Sequence, residues 1–397
     1  MLSPEYLADV ATPIIQLWAE VEDDILTDVA RRIVRTGYAS EHSKWEIAKV
    51  REMGMLEKEI ASKLKKMTGL SERKVKSIIR EACKDALVSD DKIFIAAGLK
   101  PIPLASSAAL QEVILAGARK TNGLMSNFTK TTARMTDRAF ENALDRAYLQ
   151  ITSGAFSQDQ ALRMAINSLA KQGIETIAYP SGGVEKLDVA ARRAIVTGVN
   201  QTAADLTLTR AKELKSDLVE TTSHAGARPS HALWQGKVFS LSGKTKGYGD
   251  FYAETGYGTG AGLCGWNCRH SFYPYIAGFS TPSFSRNPAS QLGKSNDRVY
   301  EESQRQRALE RAIRESKREC VALDAAMSAA QSDELRASLK EDFAAASVKL
   351  KKREAKLAEY LKQTGRTRDK SREYTHGFGA STSAKAVWAN RKAAQGK

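Results

Sequence analysis

Between residues 221 and 278 the chain gathers three of its five histidines, two of its four cysteines and two of its five tryptophans. Cys264-x3-Cys268-x-His270 sets three soft-metal donors within seven residues, and His231 lies upstream, with His224 as an alternative. Zinc takes four such donors in a tetrahedron, and a structural ion closes a loop that has little core of its own. The metal reading is therefore a structural zinc on His231, Cys264, Cys268 and His270. Glycines across 256–265 would let the backbone turn tightly around the ion. The cysteines are three residues apart where zinc motifs commonly use two. The competing reading makes them small buried apolar residues, with histidines that hydrogen-bond a folded loop.

A Cys–His nucleophile is the other chemistry to weigh, with Cys268 or Cys264 activated by His231 or His270. The flanking residues match no cysteine-protease signature. The glycines of 258–262 lack the Gly-Lys-Ser/Thr ending of a phosphate loop, and no paired-carboxylate pattern stands out. The reading is thus not an enzyme, with a metal-dependent or thiol enzyme as the alternative. Trp234, Phe239, Trp266, Phe272, Tyr273 and Tyr275 are expected to form a small core. Arg228, Lys237 and Arg269 are the candidate contacts to phosphate or a partner.

The elements that must position these residues are helical. A chain of 397 residues with 42% apolar content supports two or three domains with real cores. Apolar spacing predicts one or two helices over 3–36 with a break at Pro13, and further helices over 43–67 and 71–88. Thr68-Gly69-Leu70-Ser71 between them reads as a turn, with Ser71 as N-cap. Gly69, Leu70, Ser71, Val75 and Ile78 also fit a helix-turn-helix DNA binder. However, Lys65 stands where that motif needs a small residue, and an ordinary αα-hairpin is preferred. An extended linker over 97–105 precedes helices over 106–120, 130–152 and 157–172. Residues 176–184 have strand and turn character, 187–218 a long helical pattern, and 219–223 strand propensity. Beyond a linker, two runs over 297–330 and 333–363 read as an antiparallel hairpin or coiled-coil arm capped by Ser332.

Net charge is +15. Residues 1–96 carry 16 basic and 17 acidic side chains, 97–297 carry 22 and 15, and 298–397 carry 23 and 14. The excess in the middle and tail favours a polyanionic neighbour, and Arg366, Arg368, Lys370 and Arg372 in a mobile tail join the candidate contacts. Four cysteines make no disulfide scaffold, residues 1–10 read as no leader, and no apolar run reaches the ~18–20 residues of a membrane span. A reducing cytoplasm is the expected compartment.

Three runs carry a resemblance. They are Leu187-Asp-Val-Ala-Ala-Arg-Arg-Ala-Ile-Val-Thr-Gly-Val-Asn-Gln-Thr202, His224-Ala-Gly-Ala-Arg-Pro-Ser-His-Ala-Leu-Trp-Gln-Gly-Lys-Val-Phe239, and Gly256-Tyr-Gly-Thr-Gly followed by Gly262-Leu-Cys-Gly-Trp-Asn-Cys-Arg-His-Ser-Phe-Tyr-Pro-Tyr275. They resemble the phage minor capsid protein 2 family, related to the minor head proteins of Mu-like phages, with the strong match over about 180–278. The resemblance implies a tailed-phage virion protein, assembled in the host cytoplasm, that docks at the portal vertex and takes part in head assembly or genome packaging and delivery. Its implied partners are portal and capsid proteins, with sequence-independent contact to double-stranded DNA. It carries no settled catalysis, and it leaves open whether the signature residues bind metal, meet a partner or hold the fold.

The expected architecture is mainly α: an elongated helical scaffold with a compact central α+β domain. Its expected segments are an N-terminal helical region (1–96), linker and helices (97–180), the signature domain (181–278), a hinge (279–296), a basic helical hairpin (297–365) and a basic tail (366–397).

Overall fold

The computed structural model of the chain describes residues 2–38, 42–173, 177–179 and 183–395. In chain order the elements are α1 (Pro4–Asp9), α2 (Thr12–Gly37), α3 (His42–Ala96), α4 (Ala108–Thr152), α5 (Gln158–Gln172), β1 (Ile177–Ala178), β2 (Val184–Glu185), α6 (Leu187–Glu213), β3 (Leu218–Thr221), α7 (Pro229–Ala232), β4 (Val238–Ser240), β5 (Gly249–Asp250), α8 (Phe251–Thr255), β6 (Phe272–Pro274), α9 (Asn296–Ala329), α10 (Asp333–Thr364) and α11 (Ala380–Ala394). The protein is mainly α with a small α+β region, as its periodicity predicts. Of the strand and turn stretch 176–184, residues 176 and 180–182 lie outside the described residues; β1 and β2 pair antiparallel.

The chain divides into two compact units, each assembled from three separate stretches. The first takes Met1–Ile15, Leu70–Ser126 and Ala191–Gln304; the second takes Gln16–Gly69, Asn127–Ala190 and Arg305–Lys397. The units therefore cut across the linear segments drawn from composition.

Two expected breaks are absent. The helix α3 runs unbroken for 55 residues, so Thr68-Gly69-Leu70-Ser71 is helix interior, not a turn, and Ser71 is a buried mid-helix residue rather than a cap. The helix-turn-helix alternative loses its turn with it. One glycine costs a helix only about 1 kcal/mol, which the apolar burial of Leu64, Val75 and Ile79 along the same helix exceeds. The second break, between 120 and 130, is likewise bridged by the continuous α4.

In the first unit, α4 and α6 cross on small residues. A Cβ on Gly117 would lie 2.1 Å from Thr202 Oγ1, and one on Gly198 would lie 2.2 Å from Thr121 Oγ1. Both hydroxyls are committed to the carbonyl one turn back in their own helix, Thr121 to Gly117 and Thr202 to Gly198. Gly198→Ala should therefore destabilise by about 1–2 kcal/mol, because overpacking outweighs the gain in helix propensity. Gly54 and Gly123, also helical, face open space, so Gly54→Ala and Gly123→Ala should stabilise by up to about 1 kcal/mol. Urea unfolding of the three variants reads this difference in sign. Farther along α6, the buried Arg210 donates to the Ile102 carbonyl at 2.7 Å and pairs with Asp91 and Glu213, which holds the 97–107 connection in place.

The same unit holds a four-stranded sheet of order β5-β4-β3-β6, with β3 antiparallel to both neighbours and β4 parallel to β5. Every residue of β3 is buried. The sheet's core joins Val219, Phe239 and Phe272 to Ala204 of α6, Trp234, Phe251, Leu263 and Cys264.

In the second unit, α9 and α10 form the predicted antiparallel pair. Cys320 lies beside Ser347, Glu319 meets Lys349 at 2.8 Å, and Ser316 meets Arg353 at 2.9 Å, so the register runs in opposite directions. Ser332 caps α10 by accepting from Leu335 N, and Gly365 ends it in the left-handed region. Leu335, Leu339, Phe343, Ala346, Leu350, Leu357 and Leu361, the near-heptad positions, are all buried. The tail expected to be mobile is folded: a 3-10 turn at Lys370–Glu373 leads to α11, which packs on α10.

Candidate functional site

The loop that carries the cysteines is held from below by α6. Asn200 donates its amide to the carbonyls of Cys268 (3.1 Å) and His270 (2.8 Å), and Thr197 Oγ1 accepts from Asn267 N. One face of the Thr197–Thr202 turn thus grips the loop while another meets α4, which accounts for the run Thr-Gly-Val-Asn-Gln-Thr. Within the loop, Cys264 (φ 58°) and Asn267 (φ 54°) take left-handed backbone conformations. A Cβ on Gly262 would strike the Gly256 carbonyl oxygen at 2.0 Å, so the two arms of the loop approach as only glycine permits.

This backbone path sorts the predicted ligands. His231, Cys268 and His270 converge, their donor atoms all within 4.8 Å of one another, and all three residues are buried. Cys264 is not among them. Its side chain packs in the apolar core with Val219, Phe251 and Phe272, and its thiol lies 3.7 Å from the His270 carbonyl oxygen. His224 is displaced too: its ring stacks on His270 at 4.4 Å, and its Nδ1 faces the Ala225 carbonyl at 3.1 Å. Of the four expected ligands the structure thus brings three together, while the Cys264 thiol, which shares the His270 carbonyl oxygen with that of Cys268 at 3.7 Å, lies outside the cluster.

Neighbouring acceptors fix the tautomers of the two central rings. His231 Nε2 lies 2.8 Å from the Ala261 carbonyl oxygen, which only accepts, so Nε2 carries the proton. His270 Nε2 lies 3.1 Å from Gln235 Oε1. That same oxygen accepts from the backbone N–H of His224, which confirms it as the amide oxygen, so His270 Nε2 is protonated as well. Both Nδ1 atoms are therefore bare, and each lies 3.7 Å from Cys268 Sγ. Trp234 walls the cluster, 4.7 Å from His231 and 4.9 Å from His270 between ring centres.

Burial sets the charge states. It pushes the His231 pKa below the usual histidine value, aided by the nearby Arg228. It pushes His270 well below, aided by His224, His231 and the two arginines. Burial also raises Cys268, against the backbone N–H groups that favour its thiolate, and raises Cys264 well above the ordinary value. Neutral rings beside protonated thiols are the reverse of an activated Cys–His nucleophile.

The candidate contact residues divide. Arg228 donates to the Trp266 carbonyl at 2.6 Å, and an Arg269 guanidinium nitrogen lies 3.4 Å from His224 Nδ1, so both brace the loop. Lys237 is half-buried just before β4. In the second unit Arg366 donates to Gln306, Arg368 makes two bonds to Glu373, and Arg372 pairs with Asp369, while Lys370 is exposed. Of the aromatics expected as core, Trp234, Phe239, Phe272 and Tyr273 are buried and Tyr275 is half-buried. Trp266 is 61% exposed, because the left-handed Asn267 beside it turns that stretch outward, and its ring lies across Gly260. Gln235, Asn200 and the Ala261 carbonyl, which orient the cluster, do not stand out in the sequence. The first two lie inside the quoted runs, but an amide carries no ligand signature of its own.

The chain belongs to the phage minor capsid protein 2 family, which it matches over residues 2–362. It is similar to a structural protein of Lactococcus phage LL-H, 26% identical over 297 residues that cover 70% of this chain and 77% of that protein. No solved structure matches the chain. It is thus a phage structural protein, and no helix among the described residues is long and apolar enough to cross a membrane.

Proposed function

We propose that this protein is a non-enzymatic minor head component that docks at the portal vertex, takes part in head assembly or genome packaging and delivery, and contacts packaged DNA through cationic helices. Portal and capsid proteins are its protein partners, and it joins them in the host cytoplasm before residing in the virion. Membership of the minor capsid family over nearly the whole chain carries this reading. Charge supports the DNA contact: α10 buries its leucines on one side and exposes Lys340, Lys351, Lys352, Lys356 and Lys362 elsewhere. These lysines carry no base-reading pattern, so binding should be independent of sequence.

Two measurements test the reading. Co-expressed with the portal protein encoded in the same genome, the chain should copurify with the portal ring, and imaging should find it at that vertex of the assembled head. Absence from every assembled head overturns the proposal. The purified chain should retain duplex DNA of any sequence at low salt and release it steeply as salt rises. Lys351→Glu, Lys352→Glu and Lys356→Glu together should flatten the log–log salt dependence by about 2–3, close to one for each phosphate that is no longer neutralised. DNA binding that is absent, or insensitive to salt, removes DNA from the proposal and leaves the protein partners.

A further inference from the structure

We propose that His231, Cys268 and His270 form a three-ligand site for a zinc-type divalent cation, with the fourth corner taken by a non-protein donor such as water. The argument rests on geometry and on the count of lone pairs. Two imidazoles present bare Nδ1 atoms to one sulfur, because the Ala261 carbonyl and the Gln235 amide oxygen hold both Nε2 protons. A single S–H can serve only one of those lone pairs, so hydrogen bonding within the cluster leaves the other bare and buried. A cation satisfies all three donors at once.

The spacing suits a tetrahedral ion. Zinc lies about 2.3 Å from sulfur and about 2.05 Å from a ring nitrogen, which separates those two donors by about 3.6 Å at a tetrahedral angle. Both observed Sγ to Nδ1 distances are 3.7 Å. The outer hydrogen bonds are of the kind that orients ligating histidines, with each ring giving its second N–H to an oxygen. One thiolate and two imidazoles favour zinc over the oxygen-seeking cations. On binding, Cys268 loses its thiol proton to solvent and its sulfur donates to the metal. The rings release no proton, since the nitrogens that face the metal carry none. Among the described residues no further histidine, cysteine or carboxylate joins the cluster, so the site has three protein ligands and Cys264 is not one of them.

The test uses the full chain, reduced, stripped of metal by chelation and titrated with cobalt(II) as a spectroscopic stand-in for zinc. The expected result is one cobalt per chain, a thiolate-to-metal charge-transfer band in the near ultraviolet, the visible bands of a tetrahedral ion, and loss of all of these when zinc is added. Cys268→Ser should abolish the charge-transfer band, and Cys264→Ser should leave it intact. Gln235→Ala, which frees the His270 ring to turn, should weaken affinity by about 10- to 100-fold without removing a ligand. No saturable binding by the wild-type chain overturns the proposal, as does a charge-transfer band that survives in Cys268→Ser. If Cys268→Ser does not fold, X-ray absorption on the zinc-loaded wild-type chain still decides. One sulfur and two ring nitrogens support the site; two sulfurs, or none, overturn it.

Discussion

Arg318→Ala should lower the unfolding free energy by about 3–5 kcal/mol, the cost of leaving buried carboxylates without their cation. Arg318 is 3% exposed, and its guanidinium reaches Glu22 at 2.8 Å and Asp23 at 3.3 Å, both of them buried. Asp23 also accepts from the Gly377 N–H, so the same site fastens the folded tail. Urea unfolding followed by far-ultraviolet circular dichroism measures the loss, and a cost below about 1 kcal/mol would show that water reaches the carboxylates. The penalty should shrink at pH 5, where the stranded carboxyls can neutralise. Burial, opposed by Arg318, lifts Glu22 from 4.5 to about 7. The folded state therefore holds that proton more tightly than the unfolded chain does. The stability it contributes is complete below pH 4.5 and is lost as pH rises to about 7, by about 3 kcal/mol over that window. The difference in stability between wild type and Glu22→Gln, followed from pH 4.5 to 7.5, should change by that order; a flat difference would place Glu22 in water.

Glu220→Ala should cost a similar 3–5 kcal/mol, and should do so locally. This glutamate sits fully buried in the central strand β3, where one carboxylate oxygen accepts the N–H groups of Ser283 (2.8 Å) and Phe284 (2.9 Å) and the other accepts the Tyr273 hydroxyl. Bonds to a charged acceptor contribute about 1.5–3 kcal/mol each, and removing the acceptor strands two backbone donors and a hydroxyl. The stretch 279–296, expected as a hinge, is thereby pinned at its start. Nearby, a Cβ on Gly236 would lie 2.8 Å from the Ser285 carbonyl oxygen, a second sign of how closely this segment is laid down. In the Glu220→Ala protein, limited proteolysis should cut within 279–287 at a protease dose that leaves the wild type whole. Equal resistance of the two proteins would mean that other contacts hold the segment.

The hairpin of α9 and α10 is legible in the sequence because several local signals agree there: Ser332 as cap, a near-heptad of apolar residues, and Gly365 as stop. The helix α3 reads as broken because Gly69 punctuates a sequence locally, while the contacts that carry a helix through a glycine are made far along the chain. The His/Cys-rich stretch announces itself by composition, yet spacing alone does not say which thiol faces the histidines. The path of that loop includes two positive φ angles, at Cys264 and Asn267, and non-glycine residues seldom declare such angles in advance. Basic residues of the tail read as mobile because a partner such as Gln306, sixty residues from Arg366, is identified only once the chain has turned back.

The interleaving of the two units constrains how the protein is made. A nascent chain released as far as residue 304 holds every stretch of the first unit, yet the second still lacks the whole of its longest stretch, residues 305–397. Residues 16–69 and 127–190 must therefore wait on the ribosome with apolar faces uncovered until α9, α10 and α11 emerge. Dissection into contiguous fragments separates each unit from its own pieces, so neither can be cloned as an uninterrupted stretch, and a premature stop late in the gene strands residues encoded near its beginning.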